Sequence, residues 1–286
     1  MERVLELWLR HLEKTKSYKT AITYLQGVKD FAKHVGMGSL LYVEPSVIYS
    51  YIDNSKLSVS SLFTHLSAIK HFYKFAFRRG NLSKEVYTEI EKVIEEIREE
   101  LSPSRTHKKP KALTKQELES IFRSVQNTRY ERVYSLFLYS GIRLSEYGSV
   151  GTENFYKDKS NIYWLRLPAD ITKRRKERIV PIIGAGREET QEITRKLDLW
   201  LESYEESLKV NPGSLQVFTN RLSKKLGIPF SIHSFRHTYI TNLVNSGFPA
   251  EVVKEFAGHS NVKTTIDIYY RFSQERAQRL VQELLG

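Results

Sequence analysis

Apolar side chains recur at helical spacing through the first hundred residues of the chain. One stripe comprises Ala21, Tyr24, Leu25, Val28, Phe31, Ala32 and Val35. Apolar positions three and four apart share one face of an α-helix. Ser17 is a suitable cap at the start of this helix and Gly36 a stop at its end. Two further stripes, within 62–76 and 86–97, repeat the pattern. Residues 1–100 are therefore predicted to form a small helical bundle.

The pattern breaks at residues 101–111, where prolines, serines and basic side chains replace the apolar stripe. Such a segment is typical of a linker between domains. The segment is either a solvated hinge or a basic linker that lies along the phosphates of a nucleic acid. A new helix is predicted after it, because Thr114 and Glu117 have the spacing of a capping box. Residues 112–286 are assigned to a second domain.

The second domain contains the clearest strand signals. The runs 161–167 and 179–182 are rich in β-branched and aromatic residues, and the polar, cationic segment 172–178 separates them. Two such runs around a turn predict a β-hairpin. The rest of this domain has helical periodicity. The sequence thus predicts a mainly α-helical protein of two domains, the second with a small β-sheet.

Composition narrows the function. The 286 residues carry 45 Lys and Arg against 33 Asp and Glu, a net charge of +12, which favours a polyanionic partner such as nucleic acid. There is no cysteine, which excludes disulfides, thiol nucleophiles and cysteine-ligated zinc. No apolar run approaches the roughly 20 residues of a membrane helix, and the charged start is unlike a signal peptide. A cytoplasmic protein without a membrane partner is expected.

Five short motifs of the second domain carry chemistry-bearing side chains in a distinctive order. They are Gly141-Ile142-Arg143-Leu144-Ser145-Glu146, Lys173 at the hairpin, His233-Ser234-Phe235-Arg236, Gly258-His259 and the pair Tyr269-Tyr270. Each motif alone is common, since a lone arginine is usually a surface residue and a tyrosine pair usually packs in a core. The order of the whole set is what is improbable.

This order resembles the signature of the tyrosine recombinases, the family of phage-type integrases and Xer recombinases. The resemblance covers nearly the whole chain and is strongest from Leu113 onward. It implies an N-terminal core-binding helical domain and a C-terminal catalytic domain, which close around a DNA duplex as a clamp. It also implies site-specific cleavage and religation of DNA through a 3′-phosphotyrosyl intermediate.

The chemistry of phosphate diesters is compatible with the roles that the resemblance implies. Arg143 and Arg236 can each fork onto the non-bridging oxygens, whose charge grows in the transition state, and His259 can donate a further hydrogen bond. His233 is the candidate to accept the nucleophile's proton, and Lys173 can protonate the leaving 5′ oxygen. No metal ion and no cofactor is needed, since the guanidiniums supply the positive charge.

The nucleophile is expected to be Tyr269. Many family members place their tyrosine nine residues after the Gly-His histidine, and this chain has Ile268 there. Other integrases have a spacing of ten and an Asp-Ile-Tyr ending, which Asp267-Ile268-Tyr269 resembles. Tyr270 is the alternative nucleophile. Neighbours on a helix point about 100° apart, so only one of the two can face the phosphate.

Double-stranded DNA and further copies of the chain are the expected partners. Basic side chains in three segments are candidates to contact DNA: Arg105, Lys108, Lys109, Lys111, Arg174, Arg175, Lys176, Arg178, Arg221, Lys224 and Lys225. Recombination requires four strand cleavages, so a tetramer on paired sites is expected from a chain that associates weakly in solution. An amphipathic helix over 273–285 would either dock on a neighbouring copy or pack within its own domain.

Several readings compete. Integration or excision of a mobile element is favoured narrowly, and Xer-type resolution of chromosome or plasmid dimers is the alternative. A type IB topoisomerase shares the chemistry but needs no oligomer. A non-catalytic DNA-binding regulator would explain the charge but not the ordered motifs, and a metal-dependent nuclease or relaxase would need clustered ligands that the sequence lacks.

Overall fold

A computed structural model describes residues 2–36, 38, 40–102, 112–172, 176–258, 281–282 and 285. The chain separates into two compact units, Met1–Lys108 and Lys109–Gly286. Among the described residues, no helix has the length and apolar character needed to cross a membrane. The predicted linker residues 103–111 lie outside the described part of the chain.

The N-terminal unit is a bundle of helices, as the periodicity predicts. Its helices are α1 (Glu2–Thr15), α2 (Tyr18–Val35), α3 (Val47–Asp53), α4 (Val59–Arg78) and α5 (Lys84–Leu101). The apolar stripes face inward: Phe31, Leu66 and Ile94 are fully buried, together with Trp8 of α1. Burial of such faces is the main source of stability for helices of this length.

The ends of α2 illustrate why the helices begin and end where they do. The Ser17 side chain accepts a hydrogen bond from the backbone N–H of Thr20, which satisfies an otherwise unpaired donor of the first turn. Gly36 follows the last residue at a φ of +83°, a conformation that side chains disfavour. Both predicted signals are confirmed.

The C-terminal unit is helical around one small sheet. Its helices are α6 (Lys115–Ser124), α7 (Arg129–Ser140), α8 (Leu144–Tyr147), α9 (Arg187–Glu202), α10 (Tyr204–Ser207), α11 (Pro212–Leu226), α12 (Ile232–Asn245) and α13 (Ala250–Ala257). The predicted capping box at α6 is present: Thr114 N donates to Glu117 Oε2 at 2.7 Å, and Glu117 N donates to Thr114 Oγ1 at 3.2 Å.

The sheet has three antiparallel strands in the order β1 (Phe155–Lys157), β2 (Tyr163–Leu167) and β3 (Arg178–Pro181). The predicted hairpin is β2 and β3, with Leu165 opposite Val180. β1 was not predicted, because a three-residue strand is too short for the alternation of apolar and polar positions to stand out. The mainly helical two-domain fold with a small sheet is confirmed.

The core of the C-terminal unit is built on α7. Tyr134, Leu136 and Phe137 of this helix are fully buried, and they pack with Phe235 of α12 and Leu165 of β2. α7 is buried along most of its length, including Ser140 at its C-terminal end. The first candidate site residue follows directly from that end.

Candidate active site

Arg143 lies in a tight connection between two helices. After α7 ends at Ser140, Gly141 adopts the left-handed conformation with φ +61°, and Arg143 occupies the N-cap position of α8. Glu146 Oε2 accepts a hydrogen bond from the Arg143 backbone N–H at 2.8 Å, and Glu146 Oε1 binds Arg143 Nη1 at 2.7 Å. A single carboxylate therefore fixes both the backbone and the guanidinium of Arg143.

Arg236 approaches the same point from α12. Its side chain is only 3% exposed, and its guanidinium donates to two backbone carbonyl groups, Gly141 O through Nη1 and Ala257 O through Nη2. The first contact ties Arg236 to the turn that carries Arg143. His233 lies one helical turn earlier on α12, so the two predicted residues share a face of that helix.

The Ala257 carbonyl is where the arginines converge. It ends α13 and accepts hydrogen bonds from Arg143 Nη2 at 3.2 Å, from Arg178 Nη1 at 3.1 Å and from Arg236 Nη2. The last carbonyls of a helix have no partner within the helix and carry the negative end of its dipole. This end of α13 therefore gathers Arg143, Arg178 and Arg236, hereafter the arginine cluster.

The arginine cluster carries more positive than negative charge. Glu146, fully buried, is the one carboxylate that it binds among the described residues. Burial would raise the pKa of Glu146, but the charges of Arg178 and Arg143 and their hydrogen bonds hold it below its ordinary value. Burial, with the charges of Arg143 and Arg178, lowers the pKa of Arg236, although a guanidinium stays protonated in proteins. The excess charge suits an anionic ligand.

Arg178 corrects one prediction. It was expected to face DNA, and the structure instead buries it to 7% exposure at the start of β3. Its Nη2 lies 2.6 Å from Glu146 Oε2. The side chain points inward because strand residues two apart lie on the same face, and Val180, two residues on, is fully buried.

The two histidines of α12 are both shifted towards the neutral form. Partial desolvation and the charges of Arg236 and Arg143 lower the pKa of His233. Burial, followed by the charges of His233 and Arg236, lowers the pKa of His237 to about 4. The two rings meet edge to face with centroids 6.0 Å apart. At neutral pH a neutral His233 has a free lone pair, which a general base requires.

Other predicted site residues fall into two groups. Lys176, Arg221, Lys224 and Lys225 are exposed, and Lys176 Nζ lies 3.4 Å from Glu255 Oε1. The remaining predicted residues lie outside the described part of the chain: Arg105, Lys108, Lys109, Lys111, Lys173, Arg174, Arg175, His259, Tyr269 and Tyr270. The structure thus brings together Arg143, His233 and Arg236, and it adds Glu146 and Arg178 to them.

A second cationic feature, in the N-terminal unit, was missed by the sequence analysis. A cavity of about 150 Å³ is lined by His11, His71, Lys74, Phe75, Arg78 and Arg79. Burial, with the charges of Lys16, His11, Lys74 and Arg78, lowers the pKa of His71 to about 4. The spacing of four between Lys74 and Arg78 on one helix was the available signal. The pocket suits an anionic group such as a phosphate.

Replacing Gly141 by alanine is expected to destabilise the C-terminal unit by roughly 2–4 kcal/mol. A Cβ atom at Gly141 would lie 2.3 Å from Tyr239 Cδ1, and the backbone there has φ +61°. Tyr239 cannot easily move, because it is 2% exposed and its hydroxyl donates to Pro181 O at 3.0 Å. Unfolding in urea measures the loss.

Gly227→Ala is the matched control. Gly227 also has a positive φ, +66°, but no atom lies within 4 Å of the added Cβ. The free energy of unfolding of Gly227→Ala should fall by only about 1–2 kcal/mol, the cost of a side chain at positive φ. Equal losses for the two variants would show that the contact with Tyr239 is not what requires glycine at 141.

Comparison with known proteins gives consistent matches over both units. Residues 111–276 match the model of the phage integrase family, and residues 5–80 match the phage integrase N-terminal SAM-like domain. The tyrosine recombinase XerC of Rickettsia bellii is 25% identical, with 90% of this chain and 88% of that protein aligned. A probable integrase/recombinase of Aquifex aeolicus is 23% identical over 99% of each chain.

Solved structures share the fold at low identity. A lambda integrase dimer bound to a core site has a TM-score of 0.67 at 14% identity, covering 94% of this chain and 95% of that one. The XerH site-specific recombinase bound to a palindromic difH substrate has a TM-score of 0.66 at 16% identity, covering 99% and 84%. The backbone architecture is therefore common to these proteins and to this chain.

Proposed function

The chain belongs to the phage integrase family of tyrosine recombinases, and from this premise we propose that Arg143 and Arg236 bind the scissile phosphate of DNA while Tyr269 attacks it. The family model covers more than half of the chain, so the protein is a site-specific DNA recombinase. The proposal concerns which residues perform the reaction. The observation that carries it is the convergence of Arg143 and Arg236 on the carbonyl of Ala257.

The two arginines keep hydrogen-bonding capacity for a phosphate. A guanidinium has five N–H groups. The described bonds of Arg143 go to Glu146, Ala257 and Gly258, all through its two Nη atoms. Arg143 is 21% exposed at its side chain, so it can meet a ligand from solvent. Preorganised donors of this kind stabilise the charge that develops on the non-bridging oxygens of a pentacoordinate transition state.

Proton transfers complete the proposed reaction. A free phenol has a pKa of about 10, so a base must help Tyr269 to attack phosphorus. His233 takes this role in the proposal, since its lowered pKa favours the neutral form. The P–O bond to the 5′ oxygen breaks as the bond to the tyrosine oxygen forms, and Lys173 protonates the departing oxygen. His259 donates a hydrogen bond to the phosphate. The phosphotyrosyl bond conserves the energy of the phosphodiester, so religation needs no nucleotide.

DNA binding and assembly follow from the same proposal. The exposed side chains of Lys176, Arg221, Lys224 and Lys225 contact phosphates of the duplex, as do the basic residues of 105–111 and 174–175. Four copies act on two paired sites, since strand exchange needs four cleavages. The similar lambda integrase was solved as a dimer bound to a core site and XerH as a complex with a difH substrate, which supports the DNA-binding part of the proposal.

Two biological roles fit the chemistry. We propose integration or excision of a mobile element, supported by the Asp267-Ile268-Tyr269 ending. Resolution of chromosome or plasmid dimers is the second candidate, and the XerC names of several similar proteins favour it. Sequencing the DNA that is covalently trapped from a genomic library distinguishes the two, because the trapped sites lie either at element boundaries or at one chromosomal locus.

Covalent capture tests the proposed reaction directly. The substrate is the target DNA recovered by trapping, with a nick placed beside the cleavage point. Cleavage then releases a short fragment that carries the 5′ hydroxyl. Religation cannot follow without this fragment, so the phosphotyrosyl complex accumulates. We expect that complex to form in the presence of EDTA, and mass spectrometry of the digested complex to place the nucleotide on Tyr269. Cleavage that requires a divalent metal and leaves no protein on the DNA would contradict the proposal.

A further inference from the structure

The structure assigns to Arg178 a role in the recombination reaction: it is a positioning residue that holds Arg143 and the Gly258 turn in the geometry that cleavage requires. This inference rests on the proposed function. Arg178 belongs to the hairpin strand β3, whereas the groups it holds belong to α8 and α13. One buried side chain thus connects three elements of the site.

The first contact is shared with Arg143. Arg178 Nη2 lies 2.6 Å from Glu146 Oε2, the same oxygen that accepts the backbone N–H of Arg143. The other oxygen, Oε1, binds the Arg143 guanidinium. Glu146 is fully buried, so loss of a partner leaves a buried carboxylate less well paired. Arg178 therefore sets the position of the group that orients Arg143.

The second contact reaches the turn after α13. Arg178 Nη1 donates to Ala257 O at 3.1 Å. The next residue, Gly258, has φ +57°, and a Cβ atom there would lie 2.1 Å from Arg178 Nη1. The Arg178 side chain thus occupies the space that a Cβ atom at residue 258 would need. Arg178 therefore holds the turn at Ala257 and Gly258, and in the sequence His259 follows Gly258 directly.

The Arg178 side chain is buried and does not act at the protein surface. It is 6% exposed, and within the described residues its Nε has no hydrogen-bond partner. Burying a guanidinium is costly unless it is paired and hydrogen-bonded. A hydrophobic residue at the start of β3 would fill the same space without that cost. The specific contacts with Glu146 and Ala257 are what a hydrophobic residue could not supply.

Arg178→Met and Arg178→Lys test the role, with Arg166→Met as the matched control. Arg166 lies on the neighbouring strand β2, is exposed and pairs with Glu177 at 2.9 Å. We expect Arg178→Met to lower the rate of covalent complex formation on the order of 100-fold, as a displaced catalytic group does, with DNA affinity kept within about threefold. The rate for Arg178→Lys should lie between those of Arg178→Met and wild type, because lysine keeps the positive charge but loses the forked geometry of the guanidinium.

The pH profile gives a readout that loss of packing would not change. The charged groups facing Glu146 are Arg143 at the start of α8, Arg178 on β3 and Arg236 on α12. Without Arg178, burial raises the pKa of Glu146 and protonation releases Arg143. The acidic limit of cleavage by Arg178→Met should therefore shift to higher pH than that of wild type and of Arg166→Met.

Hydrogen exchange keeps the inference separate from the proposed function. Peptides covering 255–258 should exchange faster in both Arg178 variants, a result that needs no DNA cleavage. If wild type forms no phosphotyrosyl complex, the proposed function fails and exchange alone decides the positioning role. Folded variants with wild-type cleavage, or with unchanged exchange, overturn the inference. Loss of cooperative unfolding in both variants also overturns it, since Arg178 would then serve stability alone.

Discussion

Arg236→Lys is expected to slow formation of the covalent DNA complex by about 10³-fold or more, the effect of losing a preorganised donor from a transition-state site. Lysine keeps the positive charge but has a single nitrogen in place of the two that reach Gly141 O and Ala257 O from the guanidinium. It also cannot form two parallel bonds to a phosphate. Single-turnover cleavage with nicked DNA at saturating protein measures the rate.

Lysine is a better probe of Arg236 than alanine. Alanine would leave the Gly141 carbonyl without its Arg236 donor and would remove one of the three donors to Ala257 O, so it would destabilise the fold as well as the reaction. Arg132→Lys is the matched control. Arg132 is a half-buried arginine in the first turn of α7, and its Nη1 donates a hydrogen bond to Ser207 Oγ at 2.9 Å. A folded Arg236→Lys protein that binds DNA and cleaves within tenfold of Arg132→Lys would contradict the assigned role.

Tyr269→Phe is expected to remove covalent complex formation altogether while leaving DNA binding at the wild-type level. The substitution deletes one oxygen atom, the one that forms the bond to phosphorus, and keeps the ring. Catalysis through a covalent intermediate cannot proceed without its nucleophile. Gel electrophoresis under denaturing conditions reports the complex, and a mobility shift on intact duplex reports binding.

Tyr270→Phe serves as the control for the same ring change one residue on. It should retain most of the covalent complex. The reverse result, with Tyr269→Phe active and Tyr270→Phe inactive, would assign the nucleophile to Tyr270 and leave the rest of the proposed reaction in place. Activity in both single variants would show that the two hydroxyls can substitute for each other.

The helices were predictable because their signals are local. The stripe of α2, its cap at Ser17 and its stop at Gly36 all lie within twenty residues, and each has a simple physical cause. The hairpin of β2 and β3 was predictable for the same reason. β1 was not, since its three residues acquire their pairing from β2 rather than from their own pattern.

The site was predictable in its residues but not in its contacts. The motif order pointed to Arg143, His233 and Arg236, which the structure brings together. Arg178 was placed wrongly, because it closes a run of basic residues and charge alone favours the surface. Its partner Glu146 was visible in the first motif, but the ion pair joins positions 32 residues apart across separate elements. Contacts of that kind depend on the tertiary fold and leave no local trace.

The convergence of three arginines at the Ala257 carbonyl also determines when the arginine cluster can assemble during synthesis of the chain. The three arginines that meet there come from positions 143, 178 and 236, and their common acceptor is contributed last. Contacts between such distant positions form late in folding, because long loops must close first. During synthesis from the N-terminus, a nascent chain that has exposed only residues up to 236 holds three guanidiniums with no helix end to gather them. The arginine cluster can therefore assemble only after α13 has been synthesised.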